Sequence, residues 1–182
     1  YEWTRSVYAE HDPCVPGTLY GAAKHGLRVV AERFAAERGL SFAWGRLFFL
    51  YGPGEAPGRF VPGITRQLLA GEPAPMTAGT QVRDFLHVAD AGAAFAALAG
   101  GESQGPVNVA SGVGVSLRDV AALVARSAGG AEHLRVGAIP TRPGDPRSLV
   151  ADVTRLHEDV GWRPRLSLEE GIAQSVAWWR GR

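Results

Sequence analysis

Between residues 20 and 38, apolar side chains return every three or four positions: Leu27, Val30, Ala31, Phe34 and Ala35. That spacing gathers them on one face of a helix, and Gly39 is placed to stop it. The next run, Leu40 to Leu50 (LSFAWGRLFFL), is almost continuously apolar and rich in aromatics. This is the pattern of a strand buried on both faces in a parallel sheet. The turn YGPGEAPG, residues 51–58, closes it. Helix followed by buried strand is half of a βαβ repeat and predicts the α/β class. Residues 1–19, with Pro13, Pro16 and Gly17, read as a strand end and a long polar loop.

The alternation continues in shorter units. A helix is predicted near Val61 to Ala70, then a charged strand, Arg83 to Val88 (RDFLHV). Asp90 introduces an alanine-rich helix to Leu98, and Val107 to Ala110 (VNVA) is a short strand ending at Ser111-Gly112. Ser116-Leu-Arg-Asp119 resembles a capping box, with Asp in place of Glu, opening a helix to Ser127. Leu149 to Asp152 is a further strand. Ser167-Leu-Glu-Glu170 is the full box, opening a last helix through Trp179.

With 182 residues and 46% apolar composition, the chain can bury one sizeable core. Its 19 basic and 18 acidic residues leave a net charge of +1 with no run of one sign, which argues against nucleic acid or a charged membrane surface as partner. Every apolar stretch is broken by charge before the roughly 20 residues a membrane span needs. No charged-then-apolar leader opens the chain. A lone cysteine, Cys14, argues against a disulfide framework or a multi-cysteine metal cluster. The expectation is a soluble cytoplasmic protein. The chain starts at Tyr1 and its one methionine is Met76, so it is expected to be a processed chain or a fragment. Eighteen of the basic residues are Arg; the exception is Lys24.

Lys24 follows Tyr20 by four residues (YGAAK), one helical turn away on the same face. A tyrosine hydroxyl is ordinarily too weak an acid to exchange protons near neutral pH, and an ammonium beside it favours the phenolate. Such a pair suits proton exchange with a hydroxyl or carbonyl, although the same spacing is common in exposed helix pairs. That a chain written in Arg keeps Lys at this one place favours the chemical reading. Arg46 lies in the apolar strand, Arg83 opens RDFLHV and Arg142 lies in TRPGDP. Two arginines converging from separate loops clamp a diphosphate well; the alternative is surface charge. His87 and Asp90 lack a third ligand for a metal, and a hydrogen-bonded histidine at a strand end is expected instead. Glu10, His11 and Cys14 form no nucleophile arrangement, and Trp178 and Trp179 read as packing residues.

YGAAK, RLFFLYGP, RDFLHVAD, VNVASG, RPGD and VGWRPRLSLEEG occur in the order found in the extended short-chain dehydrogenase/reductase family. The chain most resembles its nucleotide-sugar epimerase/dehydratase branch over essentially its whole length. The resemblance implies the C-terminal part of a doubly wound Rossmann-type parallel sheet with a smaller interleaved substrate lobe. Residues 1–53 and 85–110 would belong to the cofactor domain, 54–84 and 111–182 to the lobe. It implies NAD or NADP as cofactor, a nucleotide sugar as substrate, no metal, and a homodimer for the full-length form. Tyr20 would be the catalytic acid/base, Lys24 would hold the nicotinamide ribose and Phe48 would touch the nicotinamide. Arg83 and Arg142 match positions that hold the diphosphate. Two departures stand out. The glycine-rich phosphate loop and the family's catalytic Ser/Thr would precede Tyr1, Thr4 and Ser6 being too close to Tyr20 for that role. Phe49 occupies the substrate position where the family often has an Asn donating to the diphosphate. A keto-deoxysugar reductase using NADPH, or a binding protein on the same fold, are the alternatives. If the early strands precede Tyr1, the first helix is expected to expose an apolar face.

Overall fold

The computed structural model describes residues 1–2 and 5–182. Strand β1 (Val7–Tyr8) leads by a loop into helix α1 (Leu19–Arg38). Strands β2 (Ala43–Leu47) and β3 (Phe49–Tyr51), helix α2 (Phe60–Leu69) and strand β4 (Ala74–Met76) follow. Then come strand β5 (Val82–His87), helix α3 (Val88–Gly100), strands β6 (Gly105–Val109) and β7 (Gly114–Ser116), and helix α4 (Leu117–Ala128). Strands β8 (Leu134–Val136) and β9 (Ser148–Ala151) and helices α5 (Thr154–Glu158) and α6 (Leu168–Arg180) complete the chain.

Local chemistry sets the helix ends. Thr18 accepts the Gly21 N–H at 3.1 Å and starts α1, while Gly39, at φ 62°, ends it in the left-handed conformation that glycine adopts without strain. Ser116 accepts the Asp119 N–H at 3.1 Å, and Ser167 with Glu170 forms the reciprocal capping box. Helix α3 begins two residues before Asp90, because the His87 imidazole itself caps it by accepting the Ala89 N–H at 3.3 Å.

β2 and β6 pair in parallel from Ala43–Gly105 to Leu47–Val109. The larger sheet runs β1-β9-β5-β3, all parallel, with β7 antiparallel on β5. A third parallel pair joins β4 to β8. This is the expected α/β fold, with one correction. The run from Leu40 to Leu50 is not a single strand buried on both faces: it breaks at Phe48, Ala43–Leu47 pairing with β6 and Phe49–Tyr51 with β5, and most of its side chains are half-buried or exposed.

Two cores form. One joins α2, α4 and α6 through Val61, Ile64, Leu68, Val120, Val124, Ile172 and Val176, and reaches Tyr51 and Phe85 on the large sheet. The other packs Ala94 and Leu98 of α3 against Leu86, Val107, Val109, Leu156 and Trp162. Helix α1 joins neither core: Leu27, Val30 and Phe34 are 54%, 67% and 54% exposed, and Ala35 is its one buried residue. The exposed apolar face expected for the first helix is present.

Candidate active site

Tyr20 and Lys24 occupy the first two turns of α1, both exposed. The Lys24 ammonium lies over the Tyr20 ring, 5.7 Å from its centroid. Across from them, the junction between β2 and β3 presents Phe48 and Phe49. All four line one cleft of about 530 Å³, with Trp44, Arg46 and Leu149 among its other walls. Four of the residues singled out from the sequence thus meet in one place, though Tyr20 lies about 28 residues from Phe48 in the chain.

Arg83 stands behind Phe49, its guanidinium carbon 5.5 Å from that ring's centroid. It is 4% exposed. It donates to the Val82 carbonyl at 2.8 Å and to Asp145 Oδ1 at 2.6 Å. Arg142 is exposed and lies in a second groove of about 450 Å³ between α2, β4 and the loop after β8. Phe60, Ile64, Met76 and Ile139 give that groove apolar walls; Arg59, Gln81 and Asp145 give it polar ones. Arg83 and Arg142 are therefore linked through Asp145, whose N–H donates to the Arg142 carbonyl at 3.2 Å, rather than lying side by side.

Two buried polar residues that sequence reasoning missed, Asp84 and Asn108, tie the strands together. Asp84, fully buried, collects donors from two segments, the turn after β6 and the end of β9. Its Oδ1 accepts the Ser111 N–H at 2.8 Å and hydroxyl at 2.6 Å; its Oδ2 accepts the Gly112 and Ala151 N–H groups at 2.9 and 3.2 Å. Burial pushes its carboxyl pKa up, and those donors oppose the shift. Asn108, also fully buried, donates to the carbonyls of Tyr8 and Asp152 at 2.9 and 3.0 Å. Its own N–H donates to Glu10 Oε1 at 2.8 Å, and its Oδ1 accepts the Tyr1 hydroxyl at 2.5 Å. Arg46 donates to that hydroxyl and to the Glu10 carbonyl, each at 2.9 Å. Burial pushes the Tyr1 phenol up, against the pull of Arg46. The available signal was an Asn inside the otherwise apolar strand VNVA and an Asp directly before the apolar pair Phe85-Leu86 in RDFLHV.

The remaining candidates play other parts. His87 is a hydrogen-bonded strand-end histidine as expected, its ring edge-on to Tyr51 at 5.4 Å, and burial lowers its pKa. Asp90 Oδ2 accepts the Arg165 and Leu166 N–H groups at 3.1 and 3.0 Å. Trp178 and Trp179 pack edge to face at 4.8 Å. Ser6 is exposed and lies outside the cleft, and Thr4 lies outside the described residues. Among the described residues no group of three His, Cys, Asp or Glu side chains is placed to hold a metal, and no helix is long and apolar enough to cross a membrane.

Residues 3–110 match the NAD dependent epimerase/dehydratase family. The dTDP-glucose 4,6-dehydratase of an Actinoplanes species is 29% identical over 174 residues, which cover 95% of this chain and 54% of that protein. Among solved structures, the UDP-glucose 4-epimerase of Thermotoga maritima with UDP-glucose superposes with a TM-score of 0.88 at 29% identity, covering 96% of this chain and 57% of its own. MoeE5 in complex with UDP-glucuronic acid and NAD gives 0.85 at 34% identity, covering 97% and 60%. The chain spans about half the length of the curated relatives it matches.

Proposed function

Since the chain belongs to the NAD-dependent epimerase/dehydratase family, we propose that it is part of an enzyme that acts on a sugar carbon of a nucleotide sugar, using NAD. The observation that carries this reading is the meeting of Tyr20, Lys24, Phe48 and Phe49 in one cleft, with Arg83 against the Phe49 ring. The donor set suits the nicotinamide-ribose end of the cofactor: an exposed ammonium and an exposed phenol one turn apart, opposite an aromatic wall. When bound, NAD supplies a hydride acceptor at the sugar carbon.

In this reading the Tyr20 hydroxyl exchanges the proton of the sugar hydroxyl being oxidised, and Lys24 holds the ribose and keeps a positive charge near the phenol. Phe48 and Phe49 exclude water from the reacting face. Arg83 and Arg142 hold the diphosphate, and the groove walled by Phe60, Ile64, Met76 and Ile139 takes the flat base. We divide the chain into a cofactor side, residues 1–53 and 85–110, and a substrate side, residues 54–84 and 111–182; the core of α2, α4 and α6 favours this division, while Leu156 and Trp162, packed with α3 and β6, cross it. The exposed apolar face of α1 supports a homodimer. We assign the protein to the cytoplasm because its chemistry uses soluble cofactor and substrate.

Steady-state turnover of the intact protein on nucleotide sugars tests this. Tyr20→Phe removes one exposed hydroxyl, so folding stays unchanged while turnover falls by about 10²–10⁴-fold. Lys24→Arg keeps the charge but not the compact ammonium, and should weaken NAD binding as well as turnover. A Tyr20→Phe protein with parental turnover would leave only an exposed helix pair.

A further inference from the structure

A cavity of about 370 Å³ lies at the end of β5 away from Arg83, between that strand, the turn after β6 and the linker from α5 to α6. It shares no lining residue with the cleft of Tyr20 and Lys24 or with the groove of Arg142. His87, 4% exposed, lines it. The His87 Nδ1 accepts the Ala89 N–H, so in the neutral ring the proton sits on Nε2. That N–H is buried and finds no acceptor among the described residues. His157, half-buried and also in the lining, repeats the arrangement. A guanidinium only donates, so the 2.8 Å contact with Arg163 makes the His157 Nδ1 an acceptor and again leaves the proton on Nε2. This N–H too is buried without a partner among the described residues. A buried donor left unpaired is strongly unfavourable, and two of them at one cavity point to an acceptor that enters it.

The rest of the lining supplies no such acceptor. Its three hydroxyls already donate, Tyr51 to the Leu168 carbonyl at 3.4 Å, Ser111 to Asp84 at 2.6 Å and Ser167 to Glu170 at 2.7 Å. Among the described residues no Asp or Glu lines the cavity. Asp90, the acid felt at His87, accepts the Arg165 and Leu166 N–H groups instead. Arg163, exposed, gives the lining a full positive charge. Around these donors the walls are apolar: Phe85, Val113, Val115, Pro164 and Leu166.

We propose that this cavity binds a small organic carboxylate with an apolar body. The carboxylate takes the two imidazole N–H groups and the Arg163 guanidinium, and the hydrocarbon part lies against the apolar wall. Two carboxylate oxygens offer enough lone pairs for three donors, and hydrogen bonds to an ionised acceptor are the stronger kind. A bare inorganic anion leaves the apolar wall wet, and an alcohol leaves the Arg163 charge unmatched. A ligand held this way ties β5, the turn after β6 and the α5–α6 linker together, so binding stabilises the folded protein.

The test uses benzoate as the probe on the intact protein. Benzyl alcohol is the same body without the charge, and acetate is the charge without the body. Benzoate should shift the ring nitrogen resonances of His87 and His157 saturably in isotope-labelled protein and raise the melting temperature. Each control should bind about tenfold more weakly. Arg163→Met alters an exposed side chain and should weaken benzoate about tenfold. His87→Asn keeps an acceptor at the start of α3, where Asn caps well, but removes the Nε2 donor, and should weaken benzoate similarly. If His87→Asn folds poorly, Arg163→Met and the two control probes still decide the matter. Benzoate that leaves both ring signals unmoved would show that water alone satisfies the two N–H groups. Benzoate bound equally well by Arg163→Met, or matched by benzyl alcohol, would show only an apolar hollow. Either result overturns the proposal.

Discussion

Glu55, in the turn after β3, is the carboxylate whose charge the fold opposes most plainly. It is partly buried, with one oxygen unpartnered among the described residues. Burial pushes its pKa from 4.5 up to about 7, against the pull of Arg59. The folded state therefore binds the proton more tightly than the unfolded chain. Its contribution to stability is complete below the unfolded value of 4.5 and is lost as pH rises through about 7. Glu55→Gln, uncharged throughout, should melt higher than the parent at pH 8, with the gap closing toward pH 5. Paired thermal melts at the two pH values check this; a gap that widens toward acid would overturn it. Which residues were legible at this scale depended on chain distance. Tyr20 and Lys24 share one turn of helix, and Phe48 and Phe49 are adjacent. Asp145 was invisible as a partner of Arg83, because nothing local in TRPGDP says that its carboxylate folds back onto β5 across 62 residues.

Elements were legible where a period or a cap had room to show. Helices α1, α2, α4 and α6 each carry an apolar stripe over at least ten residues, and the two Ser-initiated caps mark their starts to the residue. Strands β4, β7 and β8 have three residues each, too few for an alternating pattern. The break at Phe48 is a choice between partner strands, β6 and β5, and apolar character does not distinguish them. Packing between elements can also reverse a local preference. In an exposed helix, glycine to alanine is favourable by about 1 kcal/mol. Gly171 in α6, however, lies against Tyr51: a Cβ there would overlap the Tyr51 hydroxyl and approach its ring carbons to 2.8 and 3.0 Å. Gly171→Ala should therefore destabilise the fold, by about 1–3 kcal/mol as overpacking usually does. Tyr51→Phe in the same chain should recover part of the loss by removing the hydroxyl but not the ring. Urea unfolding of both variants measures it, and a stabilised Gly171→Ala would show that α6 and β3 part more easily than their contact indicates.

At the scale of the whole molecule the α/β class was readable from the alternation of helix and strand, whereas the distribution of the interior between two cores was not. Leu156 and Trp162, late in the chain, pack with α3 and β6, a contact that spans half the sequence and leaves no local mark. What the sequence did carry to this scale is the stripe on α1. Leu27, Val30 and Phe34 form the apolar helix face expected to lie uncovered, and they are exposed. On β2, Leu47 is 46% exposed, and among the described residues that strand pairs only with β6, leaving its other edge open. An apolar helix face together with an open strand edge favours association between chains. The 182-residue chain, expressed by itself, should therefore scatter light as oligomers and brighten a dye that binds exposed apolar surface. Val30→Glu with Phe34→Glu places charge on the stripe without disturbing a packed residue, and should shift the distribution toward monomer while leaving helix content unchanged. A monodisperse parent that melts cooperatively and binds no dye would mean that α1 finds cover within its own chain, and the proposed homodimer through that face would then lose its support.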